Sequence, residues 1–110
     1  VDRAVRLLRT EQRRVLAWWP RIDGGDAHAG DTETSIMLAL APDLVHMDRA
    51  EPGNTSPLAD IIGAMQEGGV RAVSANGVLG DPRYASASKG RTLLTRMAID
   101  LVAAVDEWWE

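Results

Sequence analysis

Val1, Ala4, Val5 and Leu8 recur at helical spacing with arginines between them, which predicts an amphipathic opening helix. The pattern then changes. Val15-Leu16-Ala17-Trp18-Trp19 is a continuous apolar run closed by Pro20, and such a run predicts a strand buried on both faces, as in a parallel sheet. After a loop rich in Gly and Asp, Ile36 to Ala41 is apolar all round and predicts a buried helix from Glu33 to about Leu40. Asp31 or Thr32 caps that helix, and Pro42 stops it. Val45 to Ala50 reads as a short strand and Glu51-Pro52-Gly53-Asn54 as a turn. Ser56 and Pro57 then supply the cap and first residue of a helix with Leu58, Ile61, Ile62 and Met65 on one face, ended by Gly68-Gly69. Val70 to Val73 reads as another short strand, and Asn76 to Pro82 as a turn-rich connection. The last helix begins at Ser86 or Ser88, and its Leu94, Met97, Leu101, Val102 and Val105 form one stripe predicted to be buried. Helices 57–67 and 88–108 are expected to pack beside the strand at 15–19. The layout is α/β.

Composition narrows this little, but charge and cysteine count narrow it more. The chain has 110 residues, 45% of them hydrophobic and 25% charged, which fits one small globular domain or a piece of a larger one. No cysteine is present, so a disulfide framework, a thiolate nucleophile and a Cys-based zinc site are excluded. A net charge of −4 argues against nucleic acid as a partner. No apolar run approaches a membrane span and no signal peptide opens the chain, so no membrane partner is expected and the location reads as cytoplasmic. The charge is uneven. Arg3, Arg6, Arg9, Arg13, Arg14 and Arg21 crowd the first 21 residues, a pattern that reads as a solvated helix face. The chain opens on Val and in mid-helix, and is read as the C-terminal portion of a longer protein.

The only dense cluster of reactive side chains is Asp26-x-His28 followed by Asp31, Thr32, Glu33, Thr34 and Ser35. A His and carboxylates on a Gly-rich loop at a helix start can ligate a metal or move protons. Glu33 opens an otherwise apolar helix, so its carboxylate needs a partner. A structural alternative stays open: Glu33 serves the helix dipole and His28 holds a loop. His46 reads as a strand histidine satisfied by its neighbours, and the two Trp-Trp pairs as core or interface anchors. The loop's glycines allow close approach of a ligand, which places Asp26 and Gly30 among candidate substrate-binding residues.

Asp26-Ala27-His28-Ala29-Gly30-Asp31-Thr32-Glu33-Thr34-Ser35 resembles the H-A-G-x-x-E-T-S signature of the creatininase family of metal-dependent amidohydrolases. Asn76-Gly77-Val78-Leu79-Gly80-Asp81-Pro82 and Ala85-Ser86-Ala87-Ser88-Lys89-Gly90 resemble that family's later G-V-x-G-D-P and A-S-x-x-K-G segments, in the same order. Leu16 to Arg21, Met37 to Pro42 and Val70 to Ser74 are similar to a peptide-cleaving branch of the family.

The resemblance implies a three-layer α/β/α fold around a mostly parallel sheet, of which residues 1–110 would be the C-terminal portion of a single domain. It implies homo-oligomers and two divalent metal ions per site, Zn, Fe or Mn, whose bridging water attacks an amide carbon. The substrate implied by the branch is a small precursor peptide, cut near its C-terminus to release a modified Val-Tyr unit. An amidohydrolase acting on a cyclic or formyl amide, and a non-catalytic interaction module, remain the alternatives. His28 matches the signature His, implied as catalytic proton carrier to the leaving nitrogen. Glu33 matches the signature Glu, implied as a metal ligand or the partner of one. The family's other metal-binding segments, E-H-G-x-H-x-P-x-x-T-D and N-G-H-G-G-N, do not occur in this sequence and are expected in an N-terminal half of the same protein. Gly24-Gly25 stand where creatinine-hydrolysing members carry a Trp, which favours a site open to a peptide end.

Overall fold

Helix-favouring segments become helices in this chain, and the segments read as strands do not become a sheet. The computed structural model describes residues 1–110 and contains four α-helices: α1 (Asp2–Thr10), α2 (Asp31–Leu40), α3 (Leu58–Gly68) and α4 (Ala87–Trp109). Single 3₁₀ turns occupy Pro42–Leu44, Met47–Arg49, Val70–Ala72 and Pro82–Tyr84. The expected α/β fold with a mostly parallel sheet is therefore overturned: no strand forms, and the one β-type pairing is an isolated antiparallel bridge between His28 and Leu79. The physical reason is pairing. An apolar run states a demand for burial, whereas a strand exists only through a hydrogen-bonded neighbour. Residues 14–21 have no backbone hydrogen bond to any other segment. The segments at 45–50 and 70–73 instead close local i→i+3 bonds, Arg49 N–H to His46 O and Val73 N–H to Val70 O.

The chain forms two compact units, residues 1–21 with 95–110 and residues 22–94. In the first, α1 is amphipathic with Val5 and Leu8 half-buried. It ends where Gln12 takes a left-handed φ of 59° and the N–H groups of Gln12 and Arg13 return to the carbonyls of Arg9 and Leu8. Arg14 is not merely solvated: its guanidinium lies over the rings of Trp108 and Trp109 at 4.9 and 4.7 Å and donates to the Trp108 carbonyl at 3.0 Å. It thus serves one of the unpaired carbonyls at the end of α4. Trp19 is exposed, and so are Leu101, Val102 and Val105, which the helical spacing predicted to be buried. Helical period identifies a face, but burial requires something to cover it, and in this unit nothing covers those three.

In the second unit α3 and α4 start within a residue or two of their expected caps. The Ser86 hydroxyl accepts the Lys89 N–H at 3.2 Å, and Gly69 closes α3 at φ 73°. Ile61 and Leu79 are the buried apolar side chains, joined by the buried polar Ser35 and Ser74. α2 meets α4 through small residues. Ser35 is wholly buried, its hydroxyl accepts the Ser86 N–H at 3.0 Å, and a Cβ on Gly90 would fall on the Ser35 carbonyl. The all-apolar pattern of α2 overstates its burial, since Met37 and Leu40 are exposed. No helix is long and apolar enough to cross a membrane.

Candidate functional site

The loop between residues 22 and 30 is held from three directions, all within the second unit. First, Asp26 reaches forward over the start of α2. Its carboxylate accepts the N–H of Asp31, a short contact, and that of Thr32 at 3.1 Å, while its own N–H donates to the Thr32 hydroxyl at 3.3 Å. A carboxylate at this end also matches the helix dipole. The helix consequently begins at Asp31, two residues before the expected start. Second, the backbone around Leu79 pins the loop. The N–H groups of Ala27 and His28 both reach the Leu79 carbonyl at 3.1 Å, and the Leu79 N–H returns to the His28 carbonyl at 2.9 Å. The same stretch is gripped from its other side, by Gly53 N–H to Gly80 O and Asn54 N–H to Val78 O, both 3.0 Å. Third, Gly30 and Gly80 leave room for the Asp26 carboxylate: a Cβ on either would collide with it.

This clamp presents His28 and Glu33 side by side. His28 Nδ1 lies 3.1 Å from Glu33 Oε2, and both side chains are more than half exposed. The approach is an ion-pair distance and not an aligned N–H···O bond. Glu33 Oε2 also accepts the Ala29 N–H at 2.6 Å. That bond holds Ala29 at φ 53°, a left-handed conformation uncommon for a residue with a Cβ. His28 and Glu33 come together, and Asp26 and Gly30 belong to the same loop, Asp26 bonded to the N–H groups of Asp31 and Thr32. Both oxygens of Asp26 are used inside the loop.

No group of three or more His, Asp or Glu side chains gathers anywhere on this chain. A zinc-type ion commonly takes at least three protein ligands, so His28 and Glu33 do not by themselves fit one.

Two features were missed in the reading of the sequence. Lys89 donates to both oxygens of Asp31 at 3.0 and 3.1 Å and to the Tyr84 carbonyl at 2.8 Å, tying α4 to the first turn of α2. Its signal was the K-G pair of the third family-like segment. Asp81 forms a forked pair with Arg83 across 2.7 and 2.9 Å. The hydrogen bond from Arg83 holds the Asp81 carboxyl below its usual 3.8, and the same pairing raises the guanidinium. A carboxyl lowered on folding stabilises the fold above its unfolded pKa, and that contribution disappears as pH falls through the lower folded value. Arg83→Ala should return the Asp81 titration, followed by carboxyl ¹³C NMR, toward 3.8. An unchanged midpoint would show that the pair is not formed in solution.

Residues 1–105 match the family described as creatininase, creatinine amidohydrolase. The mycofactocin precursor peptide peptidase of Mycobacterium ulcerans (strain Agy99) is 47% identical over 107 residues, covering 96% of this chain and 42% of that protein. The protein of the same name from Mycobacterium tuberculosis (strain ATCC 25618 / H37Rv) is 48% identical over 109 residues, covering 98% and 43%. The chain thus spans about two fifths of the length of the curated relatives it matches. Among solved structures, a putative creatinine amidohydrolase from Bacteroides fragilis NCTC 9343 superposes with a TM-score of 0.58 at 28% identity, over 76% of this chain and 34% of that one.

Proposed function

Because the chain belongs to the creatininase family, we propose that it carries the proton-transfer part of an amide hydrolase whose substrate is the mycofactocin precursor peptide. The observation that supports this best is the His28–Glu33 pair, held at 3.1 Å on a loop whose backbone is fixed from three sides. Positioned bases and acids of this kind contribute through geometry first.

In the proposed reaction a water oxygen adds to the amide carbon next to the Val-Tyr unit. His28 Nε2 takes the proton that the water gives up. As the C–N bond breaks, the same proton passes to the leaving nitrogen, so His28 returns to its neutral form. Glu33, 3.1 Å from Nδ1, stabilises the transient imidazolium through its negative charge. The resemblance implies Glu33 as a metal ligand or the partner of one, whereas its contacts with His28 and the Ala29 N–H support a different role, as the charged neighbour of the histidine. Asp26 and Gly30 act by shaping the floor under His28. Creatininases depend on divalent metals, and Zn, Fe or Mn held by this enzyme would draw its remaining donors from outside this chain.

Full-length protein incubated in parallel with the precursor peptide and with creatinine tests the reading by mass spectrometry. The expected product is a peptide shortened by its C-terminal Val-Tyr unit, with creatinine untouched. Hydrolysis of creatinine with the peptide left intact would overturn the substrate.

A further inference from the structure

Beside the His28–Glu33 loop lies a cavity of about 280 Å³, lined in part by Ala29 and Thr34, the residues that follow His28 and Glu33. The apolar part of its wall is the half-buried Val45, Met47 and Val78 and the buried Pro82, and the polar His46 and Asn76 line it as well. At its rim stands Arg49, at the end of the 3₁₀ turn Met47–Arg49. The ion pairs of the molecule are Glu11–Arg13, His28–Glu33, Asp81–Arg83 and Asp31–Lys89, so the Arg49 guanidinium takes part in none of them. Glu51 shares the lining without approaching it within ion-pair distance.

We propose that this cavity is a substrate subsite in which Arg49 binds a carboxylate of the peptide while the apolar wall packs against the neighbouring side chain. The inference rests on the peptide reading above. A guanidinium with free N–H donors beside apolar side chains pairs with a carboxylate in a forked geometry. The cavity's shared boundary with the catalytic loop makes it suitable for a group a short distance along the chain from the cleaved bond. The carboxylate comes from an acidic side chain of the peptide or from its C-terminus, and the two are separable.

Calorimetric binding of four synthetic peptides to full-length protein, wild type and Arg49→Gln, tests this. The peptides are the unmodified precursor sequence, its C-terminal amide, a version with acidic side chains replaced by amides, and one carrying both changes. Arg49→Gln is expected to weaken binding of the unmodified peptide at least tenfold. The wild type should lose the same factor on only one of the two single changes, which identifies the source. On that peptide Arg49→Gln should then cost nothing more, and Arg49→Lys should recover part of the affinity for the unmodified one. Binding that is equal in wild type and Arg49→Gln overturns the subsite while leaving the peptide reading intact. Loss of equal size on all four peptides likewise rejects a carboxylate partner. A wild type that binds none of them overturns the subsite and the peptide reading together.

Discussion

His28→Ala in the full-length enzyme is expected to lower turnover of the precursor peptide by about 10²–10⁴-fold, the usual worth of a positioned general acid–base. The fold should survive, because His28 holds its place through backbone bonds to Leu79 that an alanine would keep. Its side chain is 60% exposed, so truncation leaves no cavity. Peptide affinity and the unfolding midpoint should therefore change little while kcat falls, a pattern that separates lost chemistry from lost structure. Steady-state kinetics with a parallel thermal melt reads both. A variant that melts like wild type and turns over at the wild-type rate would remove His28 from the reaction.

Gly30→Ala should carry a large cost in stability. The added Cβ would collide with the Asp26 carboxylate and press on Gly80. Relief requires Asp26 to leave the N–H groups of Asp31 and Thr32, so the cap of α2 is lost along with the close packing. Cap removal typically costs about 0.5–2 kcal/mol and overpacking about 1–3 kcal/mol, which together point to roughly 2–4 kcal/mol. Gly63→Ala is the control. Gly63 lies inside α3 with nothing near the position of a new Cβ, so the same substitution should stabilise by about 0.5–1 kcal/mol. Urea unfolding of both variants checks the contrast, and a Gly30→Ala loss below about 0.5 kcal/mol would contradict the clamp.

The helices of this chain were legible in its sequence because their signals are local. Ser86 before α4 and Gly69 after α3 act through bonds to their own neighbours, and nothing distant is needed to form them. Val15 to Trp19 was misread for the opposite reason. Its apolar character reports burial, but the ladder that turns such a run into a strand depends on another segment. Val45 to Ala50 and Val70 to Val73 were misread because segments this short are as easily turned into 3₁₀ bonds as paired. The site was half legible. The spacing of His28 and Glu33 on one loop and one helix turn marked the two side chains that meet. Spacing could not reveal that Asp26 is spent on the cap of α2, that Leu79 pins the His28 backbone, or that Lys89 reaches Asp31 from 58 residues away. Those are tertiary facts. The Arg49 cavity belongs with them, since its lining is drawn from three separate stretches of chain, 29–34, 45–51 and 76–82.

If Glu33 acts through His28, as proposed, a double-mutant cycle on kcat will show it. Glu33→Gln, His28→Ala and the double variant of the full-length enzyme are assayed on the precursor peptide under saturation. Glu33→Gln alone should lower kcat by about 10–100-fold, the scale expected for a partner that orients a functional histidine. In the His28→Ala background the same change should cost almost nothing, because the imidazole it orients is already gone. If the two losses instead multiply, Glu33 has work of its own independent of His28, and the two do not act as a pair.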